Sequence, residues 1–168
     1  VSDEVKAAVK SRVDFGLSQG IIVAQLDKGK ADYFSYGKSA IDGNGTLNKN
    51  SVFEIGSVTK VFMAVLLADA VSRNELTYQN QITQYLTSET DSNKLGNISL
   101  EMLATHSSGL PRMPHNFEPQ YYKLSPVGFT EQSLYQYLQQ PFVDSVPGVS
   151  YNYSNLGYGI LGHILEKR

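Results

Sequence analysis

Ser57-Val58-Thr59-Lys60 places a hydroxyl and an amine three residues apart at the head of a long apolar run. On a helix that spacing puts both side chains on one face, one turn apart. Serine is a weak nucleophile until a neighbouring base takes its proton, and a lysine so placed can help take it. Gly56, just before, lets a ligand approach the backbone closely. A helix starting here leaves N–H groups unpaired at the positive end of the dipole, where an oxyanion is stabilised. The same residues also read as an ordinary helix cap followed by a solvated lysine, so context must decide. A second copy, Ser35-Tyr36-Gly37-Lys38, lies at the end of a strand-like segment, where residues three apart face opposite sides.

Tyr153-Ser154-Asn155 forms a second constellation, in a turn before the last helix. A tyrosine near a lysine can carry a lowered pKa and move a proton, and an asparagine offers both donor and acceptor. Any one of 11 tyrosines is first of all a half-buried packing residue, and Tyr78-Gln79-Asn80 repeats the Tyr-x-Asn pattern. Gly157-Tyr158-Gly159-Ile160-Leu161-Gly162 spells a dinucleotide-binding fingerprint without the preceding strand and following βαβ unit that it requires. Its glycines read instead as close-packing positions on a helix. His106, His115 and His163 fall in no metal-ligand spacing. No metal and no cofactor is expected.

These groups need elements to hold them. Residues 3–18 show helical spacing of Val5, Val9, Val13 and Leu17, with Gly20 beyond. Residues 20–27 and 31–37 read as strands of a hairpin across Lys28-Gly29-Lys30. Residues 38–50 form a polar loop. A helix over about 58–73 is apolar on nearly all sides, which predicts burial on most faces. Residues 81–86 suit a short helix, and Ser99 caps the segment that stops at Ser107-Ser108-Gly109-Leu110-Pro111. Residues 111–128 hold four of six prolines and read as a long surface excursion. Thr130 starts a helix ending before Pro141, and the last helix begins near residue 155. The chain divides into residues 1–56, a helix and two strands of a sheet, and residues 57–168, a helical part.

Hydrophobic residues make up 41% of the chain and charged residues 18%, a globular balance. A net charge of −2 gives no drive toward nucleic acid. Cysteine is absent, so neither disulfides nor thiolate metal sites arise. The run from Val61 to Ala68 is too short to span a bilayer, so no transmembrane segment is expected. The charged start VSDEVKAAVK is not a signal h-region.

Taken together, FEIGSVTKVFMAVLLADAVSRNELTYQNQITQYL, LATHSSGLPRMP and YNYSNLGYGILGHILEK, in this order, resemble the serine β-lactamase and penicillin-binding protein superfamily. The similarity is greatest to its class C β-lactamase and D,D-carboxypeptidase branch, over residues 20–168. The resemblance implies an α/β (α+β) fold, an antiparallel sheet flanked by helices beside a mostly helical region. By position, Ser57 resembles the acylated nucleophile, Lys60 its proton-abstracting partner and Tyr153 the base for serine and then for water. Asn155 resembles the group that places Lys60 and the substrate amide. Tyr78 is a decoy, and His106 resembles a scaffold residue. The implied reaction is hydrolysis of D-alanyl peptides or β-lactams through an acyl-enzyme. Alternatives are an esterase, or a non-catalytic peptidoglycan-binding homologue. The implied partners are a small-molecule or peptidoglycan-peptide substrate, outside the cytoplasm. The family's third motif, Lys or His then Thr or Ser then Gly, does not follow residue 155. The chain therefore reads as the N-terminal part of such a protein, lacking its C-terminal strands and helix, and residues 1–168 alone are expected to be inactive.

Overall fold

Local signals start and stop most elements. In this computed structural model, which describes residues 1–39, 45–117 and 129–168, the chain forms two compact units, Val1–Ile55 and Gly56–Arg168. Residues 118–128 of the expected excursion and 40–44 of the 38–50 loop lie outside the described residues.

In the first unit, Ser2 caps helix α1 (Asp3–Asp14), accepting a bond from the Val5 N–H. The helix stops four residues short of the expected end, because Gly16 takes a left-handed φ of 71°. Strands β1 (Gly20–Asp27) and β2 (Lys30–Gly37) pair antiparallel, from Gly20 opposite Gly37 to Asp27 opposite Lys30. Lys30 is thus the first residue of β2, not the last of the turn. Lys28 and Gly29 alone make the connection, with φ of 46° and 78°. Two successive positive φ values match the twist of the flanking strands. Val9 and Leu47 are the buried apolar residues of this unit.

The second unit is helical: α2 (Thr59–Ser72), α3 (Ser92–Leu95), α4 (Leu100–Ala104), α5 (Glu131–Gln139) and α6 (Asn155–Glu166). Three of these starts are built from local side chains, two of them, Ser99 and Thr130, as expected and the third, Ser154, not read from the sequence. Ser99 accepts from Met102 N at 3.2 Å, Thr130 from Ser133 N at 3.2 Å and Ser154 from Gly157 N at 2.8 Å. The short helix expected at 81–86 is a single 3₁₀ turn, Ile82–Gln84. Helix α3 has no counterpart in the sequence reading, although Asp91 caps it through Asn93 N and Lys94 N. The core gathers Leu67 and Ala70 of α2, Leu100 and Leu103 of α4, Leu134, Tyr137 and Leu138 of α5, and Leu156, Ile160, Leu161 and Ile164 of α6.

Helix α2 departs from expectation. Val58, Val61, Phe62, Val65 and Leu66 form one stripe at helical spacing, and each is 53–60% exposed. Only Leu67 and Ala70 are buried. The helix packs along one face against α6, where Met63 reaches Gly162. A helix apolar all round carries no internal signal for which face its own unit will cover.

Gly109 shows how tightly the turn after α4 is tied down. Its φ is 72°, and a Cβ there would lie 2.1 Å from the Ser145 carbonyl oxygen. The Gly109 carbonyl in turn accepts from Asp144 N at 2.7 Å. Gly109→Ala is expected to destabilise the fold by about 2–4 kcal/mol, from strain and a backbone clash. Urea unfolding reads it as a lower midpoint at unchanged slope.

Candidate active site

Gly56, with φ of 54°, turns the chain into a 3₁₀ segment, Gly56–Val58, that runs directly into α2. The N-cap of α2 is Val58, and no side chain caps it. Ser57 is therefore not spent as a cap. Its exposed Oγ accepts a hydrogen bond from Tyr153 Oη at 2.6 Å and a longer one from Lys60 Nζ at 3.4 Å. Lys60 Nζ also donates to Asn155 Oδ1 at 2.8 Å. One turn of α2 supplies Ser57 and Lys60 together, as their spacing dictates. The other two come from the start of α6, 96 residues away for the Ser57–Tyr153 pair.

Backbone ties to the turn after α4 hold Tyr153 and Asn155 in place. Asn152 N donates to the His106 carbonyl at 2.7 Å, and Asn155 N to the Arg112 carbonyl at 3.0 Å. Between them Ser154 is fully buried. Its Oγ donates to the Pro111 carbonyl at 2.7 Å while accepting from Gly157 N at 2.8 Å. A buried hydroxyl with both roles filled fixes the helix start. Tyr153 and Asn155, on either side of Ser154, inherit that fixity.

The electrostatics favour an ionisable phenol. Lys60 Nζ lies 4.8 Å from the Tyr153 ring centroid and the Arg112 guanidinium 5.0 Å from it. The Lys60 ammonium first, then the bond with Ser57, hold the Tyr153 phenol below its usual range; the Arg112 charge adds to this and burial opposes it. A phenol shifted down ionises more readily, and as the phenolate beside a serine hydroxyl it can accept that proton.

The decoys serve local structure. Ser35 Oγ donates to the Leu47 carbonyl at 2.8 Å. Asn80 Oδ1 accepts from Thr77 N at 2.7 Å in its own turn. His163 Nε2 meets Tyr135 Oη at 2.9 Å. The glycine fingerprint lies inside α6, and a Cβ on Gly162 would meet Met63 Cε at 2.9 Å, the close packing expected there. Gly159 has open space around it, so packing does not explain that glycine.

Two neighbours of the site were not singled out as such from the sequence. Arg112 lies over Tyr153, and the His106 ring centroid is 4.4 Å from that of Tyr153. Both belong to the LATHSSGLPR stretch, whose clustered turn residues were the available signal. A groove of about 350 Å³ adjoins the site, bordered by Asn155, Met113, Leu134 and Leu156.

The family model described as Beta-lactamase matches residues 5–168. The chain belongs to the β-lactamase family. The β-lactamase of Pseudomonas fluorescens is 32% identical over 165 residues, covering 96% of this chain and 43% of that protein. The β-lactamase of Yersinia enterocolitica is 32% identical over 151 residues, covering 89% of this chain and 36% of its own length. Among solved structures, a class C β-lactamase in complex with cefoxitin superposes with a TM-score of 0.81 at 26% identity, over 98% of this chain and 44% of that one. A β-lactamase/D-alanine carboxypeptidase from Pseudomonas syringae shares the fold, with a TM-score of 0.78 at 22% identity over 97% of this chain and 43% of that one. The α+β class expected from the sequence is thus the class C β-lactamase fold. This β-lactamase-family chain spans less than half the length of the relatives it matches. No helix among its described residues is long and apolar enough to cross a membrane.

Proposed function

We propose that the protein is a serine hydrolase that cleaves β-lactam or D-alanyl peptide amides through an acyl-enzyme. Ser57 is the nucleophile. Tyr153, as the phenolate, takes the Ser57 proton while Oγ attacks the amide carbonyl carbon. The oxyanion that forms is stabilised by the N–H of Ser57 at the head of α2. When the tetrahedral intermediate collapses, the C–N bond breaks and Tyr153 returns its proton to the leaving nitrogen. A water, deprotonated by Tyr153, then attacks the ester, releasing a carboxylic acid and restoring Ser57. Lys60 remains beside both oxygens, stabilising the phenolate, and Asn155 orients Lys60. An extracytoplasmic site of action accompanies this reading.

One observation carries the proposal. Ser57 Oγ lies at 2.6 Å from a phenol and 3.4 Å from an ammonium, and that ammonium is itself anchored at 2.8 Å by Asn155. A capping serine has no need of these two partners, nor of the anchor on the second. The groove beside Asn155 leaves room for the acyl side chain of a substrate.

The test is intact mass of the full-length protein after exposure to a penicillin. The expected result is one added penicillin per molecule, released on longer incubation. No adduct, with turnover of a short-chain ester instead, would move the assignment to an esterase. Reversible peptidoglycan-peptide binding with no adduct at all would make it a binding protein.

A further inference from the structure

We propose that His106 is a positioning residue for Tyr153, and that its ring must stay neutral for the Tyr153 hydroxyl to rest on Ser57. The proposal deepens the reading of Tyr153 as the base and rests on it.

A mere turn residue at this place need not be histidine. His106 takes a left-handed φ of 60°, which a glycine or asparagine adopts with less strain. Its side chain instead makes four contacts around the Tyr153 segment. The ring lies 4.4 Å from that of Tyr153 at a 31° tilt, 5.0 Å from Tyr158, and edge-on to Tyr151 at 5.6 Å. Its Nδ1 accepts the Ser154 N–H at 3.1 Å, in a buried setting. The residue is only 9% exposed.

That hydrogen bond defines the protonation state. Nδ1 accepts, so it carries no hydrogen, and the neutral ring holds its proton on Nε2. Protonation at Nδ1 would set two donors face to face. The Ser154 N–H would lose its acceptor in a place where water cannot easily replace it. Ser154 adjoins Tyr153 in the chain, so the segment that aims the phenol at Ser57 loosens.

The surroundings oppose protonation. The titratable groups near the ring are Lys60 of α2, Tyr151 and Tyr153 before α6, and Tyr158 of α6. Lys60 is the cation among them. Burial first, then the Lys60 charge, hold the imidazole below its ordinary 6.5. The sign follows from that depression. The unfolded chain takes up the proton more readily, so the positioning is complete above pH 6.5 and is lost as the pH falls through the lowered folded value. The Ser57–Lys60 turn of α2 does not depend on the imidazole and persists.

The experiment uses the full-length protein with ¹³Cζ-labelled tyrosine, the Tyr153 signal being the one absent in Tyr153→Phe. Two variants separate ring from acceptor. His106→Asn keeps an acceptor near Nδ1, suits the left-handed backbone and does not titrate. His106→Phe keeps an aromatic ring and removes the acceptor. In wild type the Tyr153 signal is expected to show, besides the phenol's own titration, a second step as the pH falls below 6.5 through the lowered imidazole value, and His106→Asn is expected to lack that second step. At about pH 8, penicillin acylation is expected to fall roughly ten- to a hundredfold in His106→Phe and to stay within about tenfold of wild type in His106→Asn. The loss should fall in the acylation rate constant and spare the penicillin affinity. A Tyr153 signal with the same acid response in wild type and His106→Asn overturns the proposal, as does a His106→Phe protein acylated at the wild-type rate. Should wild type form no penicillin adduct, the hydrolase reading fails, and the Tyr153 signal still decides the positioning.

Discussion

Ser57→Ala is expected to abolish penicillin acylation and turnover, a loss of about 10⁶-fold, the scale seen when a serine hydrolase loses its nucleophile. The reason is chemical and not structural. Ser57 is exposed, and its hydroxyl caps no helix, since the N-cap of α2 is Val58. Its partners remain anchored without it, because Lys60 keeps Asn155 at 2.8 Å and the Tyr153 segment keeps its ties to His106 and Pro111. The melting curve should accordingly change by no more than about 0.5 kcal/mol, as for an ordinary surface substitution. Turnover of a chromogenic β-lactam by the variant, at a rate above background, would show that another residue is acylated.

Tyr153→Phe is expected to reduce acylation by about 10²–10⁴-fold, the range for removal of a general base. Phenylalanine preserves the ring that His106 faces at 4.4 Å and over which Arg112 lies at 5.0 Å, so the segment keeps its packing. What disappears is the oxygen 2.6 Å from Ser57. The pH dependence separates a base from a packing group. Lys60, the Ser57 bond and Arg112 together lower the phenol's pKa. Below that value Tyr153 is protonated and cannot take the serine proton, so acylation by wild type rises with pH through it. The residual rate of Tyr153→Phe should lack that rise. A variant that keeps the wild-type pH profile at reduced rate would make Lys60 the base.

Much of the site and fold follows from local chemistry, and the rest depends on contacts distant in sequence. The starts at Ser99 and Thr130 were legible because a capping hydroxyl reaches only three residues ahead, and the Ser154 cap, of the same kind, was passed over inside the Tyr153-Ser154-Asn155 run. The hairpin was legible from Gly29, but its second strand begins one residue earlier than expected, at Lys30. Strand pairing rather than composition decides which residues of a short polar run turn the chain. Helix α2 was legible as a helix and misread in burial. Ten of its fourteen residues are apolar, spread over every face, and only the seat of α6 distinguishes Leu67 and Ala70 from Phe62 and Val65. Ser57 and Lys60 could be paired by spacing once the helix-head context had set aside Ser35 and Lys38. Tyr153 could not, being one of 11 tyrosines and 96 residues away, and it was found through the ordered resemblance of three segments. The LATHSSGLPR turn marked His106 and Arg112 as a cluster but not their place against Tyr153, because neither residue shares an element with it.

The most direct test of the central claim is where a penicillin attaches. The full-length protein is acylated, quenched in acid and digested, and the peptides are sequenced by mass spectrometry. The added mass is expected on the peptide containing Ser57, localised to that hydroxyl. An adduct on any other side chain, or an active protein with no adduct at any time point, would contradict it.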